Sequence, residues 1–238
     1  MHLRHPRLVL QRTRLLDPDE CVQVRDDVLT FRRLWTRRHD ELPSFTLGAA
    51  SYLDVPEHGV VGYIARNVRT RQRLLKRFED LYVRLQNILS EITGAPTFVH
   101  PRLAPPGFHI FEAHPGIMGL NPKIHFDRQH FFFDWEDPNA FAPDHQLSFT
   151  AAIALPDAGA GLYMWPIRSA DHTGEEEERR ARLAASERVY EPYSLGQLVI
   201  HSGDHLHQIA PSEMIDAEVR LTLQGHAQKE GDRWWLYW

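Results

Sequence analysis

The amino-acid sequence predicts an α+β protein, a jelly-roll core of antiparallel strands with helices packed on its outside. Two changes of pattern carry this. Before about residue 100 apolar residues recur at spacings of three and four, the period of a helix face. Beyond Pro105-Pro106-Gly107 they fall in short runs separated by Gly, Pro and Asp, the punctuation of strands. Helices followed by several short strands point to segregated layers, not to alternating βα units. The length of 238 residues suits one barrel or sandwich with decorations. The expectation is a single domain over 1–238, with 1–100 a mainly helical support region and 101–238 the jelly-roll core.

Leu8-Val9-Leu10 and Leu15-Leu16 suggest a first strand. Asp17-Pro18-Asp19-Glu20 then starts a helix, with a capping aspartate, proline at the first position and acids in the first turn. Cys21, Val24, Val28, Phe31 and Trp35 follow as one apolar face. Arg32-Arg33 and Arg37-Arg38 lie in that helical pattern and read as a solvated face. Phe45 to Tyr52 is a short strand or an ordered loop. A longer helix is expected from about Asn67 to Thr93, with Leu74, Phe78, Leu81, Leu85, Ile88 and Ile92 on one face. Leu75, Tyr82 and Leu89 widen that face enough to cover a sheet, and Gly94 with Pro96 stops it.

Strand candidates follow at Phe108 to Phe111, Leu147 to Leu155, Leu162 to Trp165, Leu198 to His201 and Val219 to Gly225. A polar insert at about 171–192 places Glu175 to Glu178 before Arg179-Arg180, which suits a short exposed helix and its dipole. It is a solvated decoration or a lid over a pocket. The aromatic run Trp234-Trp235-Leu236-Tyr237-Trp238 suits core or interface packing, with a pocket wall as the alternative.

Composition excludes several classes. Cys21 is the one cysteine, so no intramolecular disulfide can form and Cys-based zinc sites do not apply. A formal net charge of −5 lacks the basic balance of a nucleic-acid binder. No stretch approaches the roughly 20 apolar residues of a membrane span. Met1 to Leu10 carries positive charge without the apolar run of a signal peptide. A cytoplasmic protein is expected.

The chemistry-bearing pattern is His125-Phe126-Asp127, then Leu206-His207-Gln208-Ile209-Ala210-Pro211, then Arg220-Leu221-Thr222. In an extended segment, residues two apart point the same way. His125 and Asp127 can therefore offer an imidazole and a carboxylate to one metal ion. A second histidine from a distant strand would complete a two-His, one-carboxylate face with open positions, a pattern of non-haem Fe(II) sites. His201, His205 and His207 lie within seven residues, and periodicity alone does not separate His205 from His207. Arg220 and Thr222 share a strand face, where a guanidinium and a hydroxyl can grip a carboxylate.

The order of these parts resembles the Fe(II)/2-oxoglutarate-dependent dioxygenase superfamily over about Phe108 to His226. His207 with Ile209 and Pro211 is similar to that superfamily's His-x-hydrophobic-x-Pro. Gly196 to His201 looks like the strand entering the distal site, and Gly159 to Trp165 like the glycine-containing turn and strand between the two motifs. The resemblance implies a double-stranded β-helix (jelly-roll, cupin-like) core. By position it makes His125, Asp127 and His207 the metal ligands, and Arg220 with Thr222 the anchor for the far carboxylate of 2-oxoglutarate. It implies Fe(II), dioxygen, a small-molecule or peptide substrate, and oxidative decarboxylation of 2-oxoglutarate coupled to aliphatic hydroxylation. The carboxylate at Asp127 disfavours halogenation, which in this superfamily goes with a small residue there.

His205 is either a group supporting a ligand or substrate, or a solvated loop histidine. Arg128 should face away from the metal. His109 and Phe111 could line the pocket, His109 alternatively being a hydrogen-bonded core histidine, and Trp165 and Arg168 could touch substrate from the insert side. The competing readings are a non-oxidative cupin-like metalloenzyme (isomerase or hydrolase) and a ligand-binding protein on a disabled oxygenase fold.

Overall fold

A computed structural model describes residues 8–117, 122–136, 145–213 and 218–238. Strand β1 (Val9–Arg14) leads into helix α1 (Pro18–Thr30), which begins as the sequence demands. The Glu20 amide donates to the Asp17 carboxylate at 2.9 Å, and the Asp17 amide donates to Glu20 at 2.8 Å, a reciprocal cap. The N-terminal reading of Met1 to Leu10 rests mostly on residues 1–7, which lie outside the described residues.

Helix α1 ends at Thr30, so the arginine pairs are not part of the α-helix. A single 3₁₀ turn at Arg32–Leu34 and a short strand β2 (Thr36–Arg37) take their place before β3 (Ser44–Leu47). Nor are they all solvated. Arg38 is buried and donates to the fully buried Asp54 at 2.6 and 3.0 Å, and Arg66 approaches the same carboxylate at 3.0 Å. A buried carboxylate without such partners would carry a heavy desolvation cost, which is why the run turns inward.

The expected long helix is two helices. Helix α2 (Ser51–Arg77) starts well before Asn67 and is interrupted at Gly59, whose φ of 69° is non-helical; α3 (Glu79–Thr93) follows a break at Phe78. Pro56, Gly59 and Gly62 hide the front of α2 from propensity reasoning. At the break, the Phe78 ring is buried against Phe108, with centroids 4.8 Å apart. Gly94 caps α3 in the left-handed conformation.

The remaining strands are β4 (Thr97–Val99), β5 (Gly107–Glu112), β6 (Gln146–Ala154), β7 (Ala158–Arg168), β8 (Val189–Pro192), β9 (Gln197–His201), β10 (His205–Glu213), β11 (Val219–Glu230) and β12 (Arg233–Tyr237), with helix α4 (Glu176–Ala185) between β7 and β8. They form a large sheet in the order β1-β9-β6-β11-β5-β3-β2, joined at β11 by β12 and through it β4, and a small sheet in the order β10-β7-β8. All pairings are antiparallel except β12 with β4. The polar insert is thus more than decoration: its acidic stretch forms the exposed helix α4, but its tail is β8. There the buried Glu191 is gripped by Arg12 of β1.

Strand alternation sorts the large sheet into two faces. Phe108, Ile110, Phe149, Ala151, Ile153 and Leu221 pack against Val24, Val28, Leu74, Leu81 and Leu85 of the helices. The opposite face is polar and largely buried: Ser148, Thr150, His201, Arg220, Thr222 and His226. The small sheet covers part of it through Leu162 and Met164 against Ala152 and Val199. Buried polar side chains between two sheets need partners or a ligand, so the site lies there. The aromatic run of β12 is core: Trp234, Leu236, Tyr237 and Trp238 are buried. No helix among the described residues is long and apolar enough to cross a membrane.

Candidate metal centre

The turn from β9 to β10 builds the centre. Gly203 takes φ of +73°, which lets its carbonyl accept the Asp127 amide at 2.9 Å. Two residues before Asp127, His125 pairs with His207 of β10 in an isolated antiparallel bridge. The His125–Asp127 segment is therefore not a ladder strand, as strand alternation presumed; one bridge and the Gly203 contact impose the extended shape. The outcome is the same juxtaposition. Nε2 of His125 lies 3.6 Å from Oδ1 of Asp127, and Nε2 of His207 lies 3.4 Å from Oδ2. One ligand atom from each of the three falls within 4.8 Å of the others.

Both imidazoles are preset for coordination. Nδ1 of His125 sits 2.8 Å from the Lys123 carbonyl, and Nδ1 of His207 sits 2.8 Å from the His205 carbonyl. A carbonyl only accepts, so each Nδ1 carries a proton, and in the neutral ring each Nε2 keeps a free lone pair. Burial, aided by the charge of His207, pushes the His125 imidazole below its ordinary value. Burial would raise Asp127, but the neighbouring imidazoles, His207 first and then His226 and His125, together outweigh it and hold the carboxyl well below the usual range. Gln129 also donates to Oδ1 of Asp127 at 3.2 Å. Two imidazole nitrogens and one ionised carboxylate, with the remaining side open, fit Fe(II).

The open side is a cavity whose walls include Tyr52, Gln129, Tyr193, His201, Gln224 and His226. None of these was singled out from sequence for the pocket wall. Alternation could have found Gln224 and His226, which share the face of Arg220 and Thr222 on β11; Tyr52, Gln129 and Tyr193 carry no local signal. Ser148 lies 3.0 Å from Nδ1 of His226.

Arg220 is 5% exposed, donates to the Ala210 carbonyl at 3.2 Å, and lies 5.8 Å from the Tyr193 ring centroid and 5.9 Å from that of Phe111. No carboxylate among the described residues pairs with it. Tyr193 lines the metal cavity, whereas Arg220 lines a second cavity with Phe111 and Ala210, Ile209 lining both. Thr222 is buried, and its hydroxyl accepts from Gln224 at 3.3 Å.

The expectations for His205, Trp165 and Arg168 are corrected. His205 and His207 do not share an uninterrupted strand face: the register between β10 and β7 shifts between them. His205 lies instead 3.3 Å from the Ser202 hydroxyl, outside the three-residue cluster. Trp165 packs with Ile167 and Leu206, on the face of β7 opposite to Leu162 and Met164, so it does not face the cavity. Arg168 pairs with Asp204 at 2.8 Å. His109 is buried and hydrogen-bonded to the Tyr52 hydroxyl, behind the pocket wall. Arg128 is exposed and stacks 5.0 Å over Phe131, away from the cluster.

No protein-family model matches this sequence, and no curated protein matches it. Solved structures do. An N-substituted L-amino acid dioxygenase from Burkholderia ambifaria AMMD, in complex with α-ketoglutarate, is 17% identical with a TM-score of 0.53, covering 95% of this chain and 84% of its own. The epimerase SnoN, in complex with Fe3+, α-ketoglutarate and nogalamycin RO, is 14% identical with a TM-score of 0.56 over 95% of this chain and 81% of its own. The non-haem α-ketoglutarate-dependent carbocyclase SnoK, from nogalamycin biosynthesis, is 16% identical with a TM-score of 0.51 over 98% and 82%. With its helices and antiparallel sheets arranged as in these proteins, the chain has the fold of the Fe(II)/2-oxoglutarate-dependent dioxygenases.

Proposed function

We propose that this protein is an Fe(II)- and 2-oxoglutarate-dependent oxygenase that hydroxylates an aliphatic C–H bond of a small molecule or peptide side chain. The observation that carries the reading is the tautomeric state of the cluster. His125 and His207 both turn Nδ1 to a backbone carbonyl, leaving two Nε2 lone pairs and the Asp127 carboxylate converging on one point. In this reading residues 1–238 form one oxygenase domain on a double-stranded β-helix (jelly-roll, cupin-like) core. The buried thiol of Cys21 accords with a reducing, cytoplasmic setting.

His125, Asp127 and His207 would hold Fe(II), which with 2-oxoglutarate supplies the oxidising chemistry. Arg220 would take the far carboxylate of 2-oxoglutarate. A buried guanidinium with no carboxylate partner is costly until an anion pairs with it. Thr222 sits beside it as an additional hydroxyl. Tyr52, Gln129, Gln224 and His226 offer hydrogen bonds along the cavity wall, so a bound substrate would be oriented by polar contacts.

Hydroxylation is preferred because Asp127 supplies the carboxylate whose absence halogenation would need. A fold of this kind does not decide the outcome: the similar structures include an epimerase and a carbocyclase. Arg220 argues against a non-oxidative cupin-like isomerase or hydrolase, which has no need of a carboxylate anchor. The intact donor set argues against a binding protein on a disabled fold. The test is an anaerobic titration with Fe(II) and 2-oxoglutarate followed by visible absorption, then a screen of small molecules and peptides for succinate release. A charge-transfer band and substrate-dependent succinate are expected. Metal binding without 2-oxoglutarate binding would sink the oxygenase reading.

A further inference from the structure

A third imidazole meets the same cavity in the opposite tautomer. His201, at the end of β9, is held by its pairing with Ser148 of β6 and is 3% exposed. Its ring centroid lies 4.9 Å from that of His207, the planes at 67°. The Gly203 amide donates to Nδ1 of His201 at 3.2 Å. A backbone N–H only donates, so Nδ1 is an acceptor and the proton of the neutral ring sits on Nε2. The one hydrogen bond of the ring among the described residues is that at Nδ1, and His201 is among the residues lining the metal cavity.

The two tautomers have different consequences. An Nε2–H has no lone pair for a metal, so His201 is barred from joining His125 and His207 as a ligand despite its proximity. To ligate, it would need its proton on Nδ1, facing the Gly203 N–H. Turning the ring over would leave that amide without its acceptor in a buried turn, which is unfavourable. Gly203 thus fixes two things: its carbonyl holds Asp127 in place, and its amide makes His201 a donor.

Resting on the oxygenase reading above, we propose that His201 is a positioning residue whose Nε2–H donates to an oxygen of the anionic ligand chelated at the metal, 2-oxoglutarate. It orients that ligand without coordinating the ion. A hydrogen bond to a charged oxygen in a buried setting is among the stronger ones, so its removal should be readable in binding alone.

The test uses the full chain loaded with Zn(II), which binds the co-substrate without turnover, and compares His201→Leu with His201→Gln by calorimetry. Leucine removes the donor; glutamine carries an amide N–H at about the reach of Nε2. Zn(II) affinity should stay within about threefold of wild type in both variants. Affinity for 2-oxoglutarate should fall about tenfold in His201→Leu and recover to within about threefold in His201→Gln. Under anaerobic Fe(II), the visible band of the 2-oxoglutarate complex should shift in His201→Leu and return toward wild type in His201→Gln.

Wild-type affinity and an unshifted band in His201→Leu would overturn the proposal while leaving the oxygenase reading intact. Loss of Zn(II) binding in both variants would overturn it too, by assigning His201 to the metal site. Failure of the wild type to bind Zn(II), or to bind 2-oxoglutarate once loaded, would instead overturn the reading on which the proposal rests.

Discussion

His125 and His207 exchange both backbone hydrogen bonds, each amide donating to the other's carbonyl at 2.9 Å. The two candidate ligands are 82 residues apart in sequence (207 − 125), yet one bridge sets their ring centroids 4.4 Å apart. The loop carrying His125 and Asp127 is held to β10 through the backbone, so side-chain substitutions in the cluster should remove donors without releasing the loop. Geometry of this kind is what a metal centre needs before the ion arrives.

Metal affinity should separate the neighbouring histidines of β10. His207→Ala removes an Nε2 donor and should abolish stoichiometric Fe(II) or Zn(II) binding. His205→Ala touches a side chain outside the cluster and should change affinity by less than about threefold, since the His205 carbonyl that orients His207 remains. Calorimetry with Zn(II) checks both; a larger loss from His205→Ala would refute the assignment.

Arg220→Ala should weaken 2-oxoglutarate binding strongly and leave metal binding nearly unchanged. Removing the charged partner of a desolvated carboxylate costs on the order of 2–5 kcal/mol. Equal 2-oxoglutarate affinity in variant and wild type, measured on Zn(II)-loaded protein, would remove Arg220 from the anchor.

Gly203→Ala should damage the centre through the backbone. At φ of +73° an added Cβ would stand 2.7 Å from the Ser148 hydroxyl oxygen and 3.0 Å from Cβ of Asp127. Backbone strain of about 1–2 kcal/mol adds to that crowding. A lower urea midpoint and weaker Zn(II) binding are expected together; a variant matching wild type in both would count against the turn's role.

Asp54 should matter for stability far from the metal. Its fully buried carboxylate takes Arg38, Arg66 and the Ala50 amide at 2.9 Å, and Arg38 also donates to Thr46 at 2.7 Å, tying the start of α2, and so Tyr52, to β3. Asp54→Ala strands buried guanidinium charge and should cost about 3–5 kcal/mol, read from urea unfolding. A cost under 1 kcal/mol would show the cluster to be dispensable.

Acid should destabilise the metal-free protein from near neutrality downward. Burial depresses His109 and His201 to about 3, and His100 and His130 to about 4. Unfolded histidines titrate near 6.5. Groups depressed in this way contribute stability that is full above about pH 6.5 and is lost as pH falls toward their folded values, because the unfolded chain takes up protons the fold refuses. His207 runs the other way: burial would lower it, but Asp127 raises it, so its contribution is full below about 6.5 and lost as pH rises through the folded value. The four depressed groups outnumber it, and the urea midpoint should fall between pH 7 and pH 5. A flat profile would contradict their neutral burial.

Patterns that live within a few residues were legible in the sequence. The Asp17–Glu20 cap depends on a four-residue spacing, the shared face of Arg220 and Thr222 on strand alternation, and the Gly94 stop on a backbone preference. The closeness of His125 and Asp127 was legible for the same reason, whereas His207 was set apart from His205 only by a resemblance to a superfamily motif. What tertiary structure decided is whatever depends on a partner distant in the chain. A helix that the apolar period carries through Phe78 is broken there, where the ring packs on the distant Phe108. Arg38 leaves solvent because Asp54 is buried beside it, and a register shift against β7 sets His205 apart from His207. Tyr52 and Tyr193 reach the cavity from segments with no motif of their own. The proton positions on His125, His201 and His207 follow from whether a carbonyl or an amide faces Nδ1. Hydrogen-bond direction is a property of the assembled backbone, and no spacing of residue types encodes it.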